Sequence, residues 1–207
     1  MLHGRVFIPT RLSGYEGRAR AKTLTTPWNG VGRIRFFFSP AKSKKKEYSE
    51  RRLLGYSMEQ MFRVVAEIEH YKNFVPWCTQ SDVVARRPGH ITARMQVGFP
   101  PLSESYTSSI TLTPPNLVRS ECTDGWLFNY LIALWKFSPG MKTNPQTCTL
   151  DFSVAFEFRS ALHSHFAQVF FNEVVRQNVN AFLKEARRRY GKECIKSQKP
   201  QVTTYVS

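Results

Sequence analysis

Between Cys148 and Phe158 every second residue is large and apolar. Cys148, Leu150, Phe152, Val154, Phe156 and Phe158 point one way, and Thr149, Asp151, Ser153, Ala155 and Glu157 point the other. A period of two is the pattern of a strand with one face buried and one face wet. Such a strand belongs to an antiparallel sheet, because parallel strands are covered on both faces. Further runs of the same period span 79–87, 90–99, 104–113, 116–124 and 128–137, after a first strand at 47–55. The breaks between them carry turn chemistry: Pro88-Gly89, Pro100-Pro101, Pro114-Pro115-Asn116, Asp124-Gly125 and Pro139-Gly140. Connections this short demand antiparallel pairing, since a parallel crossover needs about a dozen residues or more.

Two helical segments interrupt the strand pattern. Ser57 with Gln60 three residues on forms a capping box, followed by Met58, Met61, Phe62, Val65 and Ile68 at helical spacing. A short helical piece at 70–75 stops at Pro76. Residues 161–189 then read as one long helix. Leu162, Phe166, Val169, Phe170, Val174, Val175, Val179, Phe182 and Leu183 make its wide apolar stripe, and Arg187, Arg188 and Arg189 complement its negative C-terminal end. The fold class is therefore α+β: six strands after the first helices, and a closing helix of roughly 40 Å at ~1.5 Å per residue. A curved sheet gripping such a helix leaves a concave apolar space, the usual place for a ligand.

Charge divides the chain further. Of 207 residues, 30 are Lys or Arg and 15 are Asp or Glu. Residues 1–46 hold eleven of the basic residues and one acid, Glu16. This segment is rich in Arg and hydroxyl residues and has no apolar core of a secretory signal, which fits a mitochondrial transit peptide or a basic disordered leader. Residues 47–190 form the domain, and 191–207, polar and without periodicity after Gly191, are expected to be a flexible tail. No run of about 18 apolar residues occurs, which excludes a helix across a bilayer. The four cysteines are scattered without a C-x-x-C, unlike a disulfide framework or zinc ribbon.

Reaction motifs are missing: no G-x-S-x-G, H-E-x-x-H, phosphate-binding glycine loop or G-x-G-x-x-G is found. His163 and His165 point apart on a helix, so no metal site is expected there. Glu121 and Asp124 sit at a strand end and read as solvated. What the domain has instead is aromatic residues at inward positions: Phe74, Trp77, Tyr106, Trp135, Phe137, Phe152, Phe156, Phe158, Phe166 and Phe170. Packed core is the plain explanation for each. Such rings also suit a flat, weakly polar ring system, and Tyr106 and Trp135 each add a hydrogen-bond donor. With no apparent buried cluster of Lys or Arg, a highly charged ligand is not expected. Two segments carry exposed-looking apolar residues, Phe99 to Leu102 and Trp126-Leu127-Phe128, and read either as core or as a lip that touches a membrane.

Several motifs carry a resemblance. Lys45-Lys46-Glu47-Tyr48-Ser49-Glu50-Arg51-Arg52, Leu54-Gly55-Tyr56-Ser57, Tyr71-Lys72-Asn73-Phe74-Val75-Pro76-Trp77-Cys78, Val97-Gly98-Phe99-Pro100-Pro101, Cys122-Thr123-Asp124-Gly125 and Cys148-Thr149-Leu150-Asp151-Phe152 resemble the mitochondrial coenzyme Q-binding family, of animal type. That family lies in the polyketide cyclase/dehydrase-like branch of the START superfamily, and the likeness covers essentially all of 47–190. It implies a helix-grip (START-like) fold with a lipid cavity between sheet and helix. It also implies non-catalytic binding of coenzyme Q (ubiquinone) as carrier or chaperone for respiratory electron transport. The implied location is the matrix side of the mitochondrial inner membrane, peripherally, with membrane lipids and the respiratory complexes or the coenzyme Q synthesis machinery as implied partners. No catalytic cofactor and no nucleic acid is expected. On this reading Phe152, Val154, Phe156, Phe158, Phe166 and Phe170 wall the isoprenoid tail, and the quinone ring lies near Trp135 and Tyr106. Phe74, Trp77 and Phe137 complete the cavity, and Phe99, Leu102, Trp126, Leu127 and Phe128 form the membrane lip. Three other readings share the fold: a lipid carrier for another ligand, a polyketide cyclase-like enzyme, and a ribosome-associating protein.

Overall fold

A computed structural model describes residues 45–99, 102–122, 124–126, 128–159 and 164–206, with the side chains of 99, 102, 164–170 and 173–176 outside that description. The expected leader lies outside it, save for Lys45 and Lys46. The elements run β1 (Lys45–Leu54), α1 (Met58–Ala66), a 3-10 turn (Ile68–Asn73), β2 (Cys78–Arg87), β3 (His90–Phe99), β4 (Leu102–Thr113), β5 (Leu117–Cys122), β6 (Phe128–Pro139), β7 (Cys148–Phe158), α2 (Ser164–Tyr190) and β8 (Gln201–Val206). The strands form one curved antiparallel sheet in the order β2-β3-β4-β5-β6-β7-β1-β8. The α+β, helix-grip architecture read from the sequence is the one observed.

The local reasons are those of the sequence. Ser57 Oγ accepts from Gln60 N at 3.3 Å while Gln60 Oε1 accepts from Ser57 N at 3.0 Å, so the box at the start of α1 is closed. All six apolar residues of the β7 alternation are buried. α2 lies across this inner face: Phe171 sits 5.7 Å from Phe156, and Phe182 sits 4.5 Å from Trp135, ring centre to ring centre. Its last turn is tied to α1 by Arg189, which bonds both Glu185 and Glu67. Hydrogen bonds from Arg188 and then Arg189 pull the Glu185 carboxyl down to about 2.

Two features differ from the expectation. The first is the C-terminal segment. Instead of a flexible tail, residues 194–206 return along the domain. Cys194 N donates to Gly55 O at 3.0 Å, Gln198 N donates to Leu53 O at 2.9 Å, and β8 pairs antiparallel with β1. Tyr205 secures this strand, its ring 5.3 Å from Phe171 and its hydroxyl donating to Asn172 Oδ1 at 3.0 Å. Gly55 makes the return possible, because a Cβ there would collide with the Ile195 carbonyl and come within 2.9 Å of Glu193 Cβ. Gly55→Ala is therefore expected to detach residues 193–198, seen as faster amide exchange of the Cys194 and Gln198 N–H groups while α1 keeps its protection.

The second is buried charge. β1 turns Lys46, Tyr48, Glu50, Arg52 and Leu54 inward, and the first four are 5%, 3%, 2% and 7% exposed. Arg52 Nε donates to Glu50 Oε1 at 2.5 Å and Arg52 Nη2 to Glu50 Oε2 at 3.0 Å, and the Tyr48 hydroxyl donates to the same carboxylate. A bidentate pair of this kind satisfies a carboxylate that has left water. The sequence reading allowed for no such inward charge.

Candidate functional site

The site is a cavity of about 140 Å³. Its floor is the inner face of β3 to β7, with Met95, Ile110, Val118, Leu131, Val154 and Phe156. Its roof is the 3-10 turn and the connection to β2, with Ile68, Tyr71, Val75, Pro76 and Trp77. Asn178 and Phe182 of α2 close one side. Trp77 has a left-handed backbone, with φ of 65°. For an aromatic residue that conformation carries strain of order 1–3 kcal/mol. It is held by Gly98 N, which donates to Trp77 O at 2.8 Å, and it turns the chain from the 3-10 turn into β2.

Of the residues expected from sequence, Trp77, Tyr106, Trp135, Val154 and Phe156 come together on this lining. Phe152 lies directly behind Trp135 at 4.5 Å. Phe74 packs outside, 5.1 Å from Phe182. Phe137 is buried opposite Leu150, and Phe158 stacks on Phe128 at 5.1 Å, so neither reaches the space. Phe166 and Phe170 belong to α2, but their side chains are outside the described residues, as are those of Phe99 and Leu102 at the β3–β4 turn. Leu127 is also outside them. Of the expected lip, Trp126 is 86% exposed, whereas Phe128 is 2% exposed. Phe128 is core and not lip, because its ring is enclosed by Tyr106, Phe156 and Phe158.

Sequence reasoning missed Tyr71 and Phe182. They meet where the roof joins the α2 side: the Tyr71 and Phe182 rings lie 5.1 Å apart and nearly perpendicular. Phe182 was visible on the apolar stripe of the helix, but the stripe does not tell which of its members meets an open space.

The polar groups of the cavity are few and uncharged. Burial pushes the Tyr71 and Tyr106 hydroxyls well above the usual phenol value and the Cys78 thiol up to about 11, so all three keep their protons at neutral pH. Tyr71 donates to Val65 O at 2.5 Å, and Cys78 Sγ to Gln80 O at 3.4 Å. Ser108 and Ser120 bond each other at 2.7 Å. The Asn178 carboxamide oxygen is buried with no hydrogen-bond partner among the described residues. The cavity thus offers a flat apolar slot with neutral hydrogen-bonding groups at its wall. Among the described residues no cluster of three or more metal-ligating side chains occurs, and no helix is long and apolar enough to cross a membrane.

Outside the roof lies a broader groove of about 1040 Å³, which shares Pro76 with the cavity and includes Phe74, Gln177 and Ala181. The 74–77 connection is the partition between the two.

Comparisons with known proteins agree with this architecture. Residues 54–183 match the family described as polyketide cyclase / dehydrase and lipid transport. The mitochondrial coenzyme Q-binding protein COQ10 homolog B of Xenopus laevis is 54% identical over 151 residues, which span 73% of this chain and 62% of that protein. The ribosome association toxin RatA of Vibrio cholerae is 32% identical over 146 residues, 70% of this chain and 99% of the toxin. Among solved structures, the ZhuI aromatase/cyclase from Streptomyces sp. R1128 superposes with a TM-score of 0.57 at 17% identity, covering 70% of this chain and 95% of that one. That last likeness is one of fold alone.

Proposed function

The chain belongs to the polyketide cyclase / dehydrase and lipid transport family, and on that footing we propose that it binds coenzyme Q without transforming it, as a mitochondrial carrier or chaperone. The observation that carries this reading is the cavity: apolar, ring-sized and lined by neutral hydrogen-bonding groups. An apolar hole of about 150 Å³ takes one benzene-sized ring. The observed volume of about 140 Å³ is on the scale of one ring and well below that of a polyisoprenoid tail, so a substituted quinone head would enter it with its substituents reaching the mouth.

The head lies against Trp135, within reach of Tyr106 and Asn178. A neutral tyrosine hydroxyl donates to a quinone carbonyl. A carboxamide oxygen accepts from the hydroxyl of a quinol, so the pair serves both oxidation states. The tail leaves beside the 74–77 connection into the outer groove, where each buried CH₂ contributes about 0.8 kcal/mol. Exposed Trp126 is suited to a membrane interface, where indole rings collect. The working location is the matrix side of the inner membrane, with lipids, respiratory complexes or the synthesis machinery of the quinone as partners.

The test is extraction of the purified chain from a quinone-producing host, followed by mass spectrometry. About one quinone per chain is expected. Ala133→Phe, which fills the slot from β6, should remove the quinone at an overpacking cost of about 1–3 kcal/mol. Recovery of phospholipid alone, or full quinone occupancy in Ala133→Phe, would sink the reading.

Ribosome association is the second reading, favoured by a match that spans 99% of RatA. It requires the chain to sediment with ribosomes in a salt-dependent way.

A further inference from the structure

A second pocket, of about 720 Å³, lies on the other side of α2, between its last turns and the returning segment 193–200. Phe182 faces the apolar cavity, whereas Leu183, Lys184 and Arg187 face this pocket. Tyr48 and Arg52 form its buried base. Arg52 donates through Nε and Nη2 to Glu50 and through Nη1 to Asn180 Oδ1 at 2.9 Å. That uses three of the guanidinium's five N–H groups.

Lys184, Arg187, Lys196 and Lys199 line the pocket, and none of them holds an ion pair among the described residues. The contrast along α2 is sharp. Arg188 and Arg189, the next two residues, are both held by Glu185 at 2.7–2.8 Å. Glu193, the carboxylate of the lining, is turned into its own loop, accepting from Ser197 N at 3.1 Å and Ser197 Oγ at 2.6 Å. Like charges gathered around one concavity repel each other, and an anion placed among them relieves that repulsion. Ammonium and guanidinium side chains lining one pocket fit phosphate oxygens.

We propose that this pocket is a binding site for a phosphate-bearing ligand, held by Arg187, Lys184, Lys196 and Lys199 over the Arg52 base. The site is distinct from the apolar cavity and does not depend on what the cavity holds. Its existence depends on the return of the C-terminal segment, which supplies Lys196 and Lys199. The phosphate belongs either to a soluble diphosphate or to a phospholipid headgroup.

Two measurements on the full chain separate these sources. One is calorimetric titration with inorganic pyrophosphate. The other is flotation with phosphatidylcholine vesicles, with and without phosphatidylglycerol. The variant is Lys196→Gln/Lys199→Gln, and the control is Lys136→Gln/Lys142→Gln, which removes the same charge from exposed positions elsewhere. Saturable pyrophosphate binding that weakens about tenfold or more in the variant, and not in the control, supports a soluble ligand. The same pattern confined to phosphatidylglycerol vesicles supports a headgroup. In either case added salt weakens the interaction. Absence of saturable binding in both arms, or equal weakening in variant and control, overturns the proposal. None of these outcomes bears on quinone occupancy, so the two readings fail separately.

Discussion

Arg52→Met is expected to lower unfolding free energy by about 3–5 kcal/mol, the usual cost of removing one partner of a buried ion pair. Glu50, only 2% exposed, would keep its carboxylate inside, with the Tyr48 hydroxyl still donating to it but the bidentate guanidinium gone. Typical domains have roughly 5–15 kcal/mol in all, so this one substitution threatens the folded state at body temperature. Chemical denaturation of the parent and the variant measures it. The loss comes from a stranded charge and not from the pair's net attraction, which predicts a second result. The triple variant Tyr48→Phe/Glu50→Leu/Arg52→Met should recover most of the loss, because an apolar replacement of a buried pair is often neutral or better. Asn180, the other partner of Arg52, is exposed and finds water. A triple variant as unstable as Arg52→Met would show that the charges themselves hold β1 in place.

Phe182→Ala should cost about 3–5 kcal/mol as well, by a different route. Its ring touches Tyr71 and Phe74 at 5.1 Å and Trp135 at 4.5 Å, so it is the shared wall of roof and floor. Truncation leaves a void beside the 140 Å³ cavity and removes the ring that separates it from Phe74 on the outer groove. Quinone occupancy is expected to fall although the space grows, because the enlarged site admits water. Phe182→Leu, which keeps the wall, should retain most of both stability and ligand. Thermal unfolding together with extraction separates the effects; a Phe182→Ala chain with full occupancy would place the ligand elsewhere.

The elements most legible from sequence were those whose evidence is local. Each β-turn carries its own Pro, Gly or Asn, and β7 displays an unbroken alternation, so strand limits could be placed to within a few residues. β1 obeys the same period of two but with inverted chemistry: Lys46, Glu50 and Arg52 point inward where apolar residues are expected. A hydrophobic pattern is silent about such a strand, because its partners make the burial tolerable and they are set by tertiary contact. β8 was missed for a related reason. Its six residues are all exposed, and their pairing depends on the distant edge of β1. For the site, Trp135, Tyr106 and Phe156 could be placed inward from alternation. Phe137 and Phe158 alternate just as well and yet are covered by neighbours, since periodicity reports a face and not which part of it is left open.

β1 occupies an interior position in the sheet, yet both its neighbours are made from the last third of the chain. Arg51 meets Asp151 across 100 residues, and Ser49 meets Thr203 across 154. A polypeptide is made from its N-terminus, so β1 emerges first and waits longest for partners. Closure over such sequence distances is slow. Until residues 201–206 are available, β1 is an edge of the sheet with a row of unpaired backbone groups. The eight-stranded order is complete only once residues 201–206 have found β1.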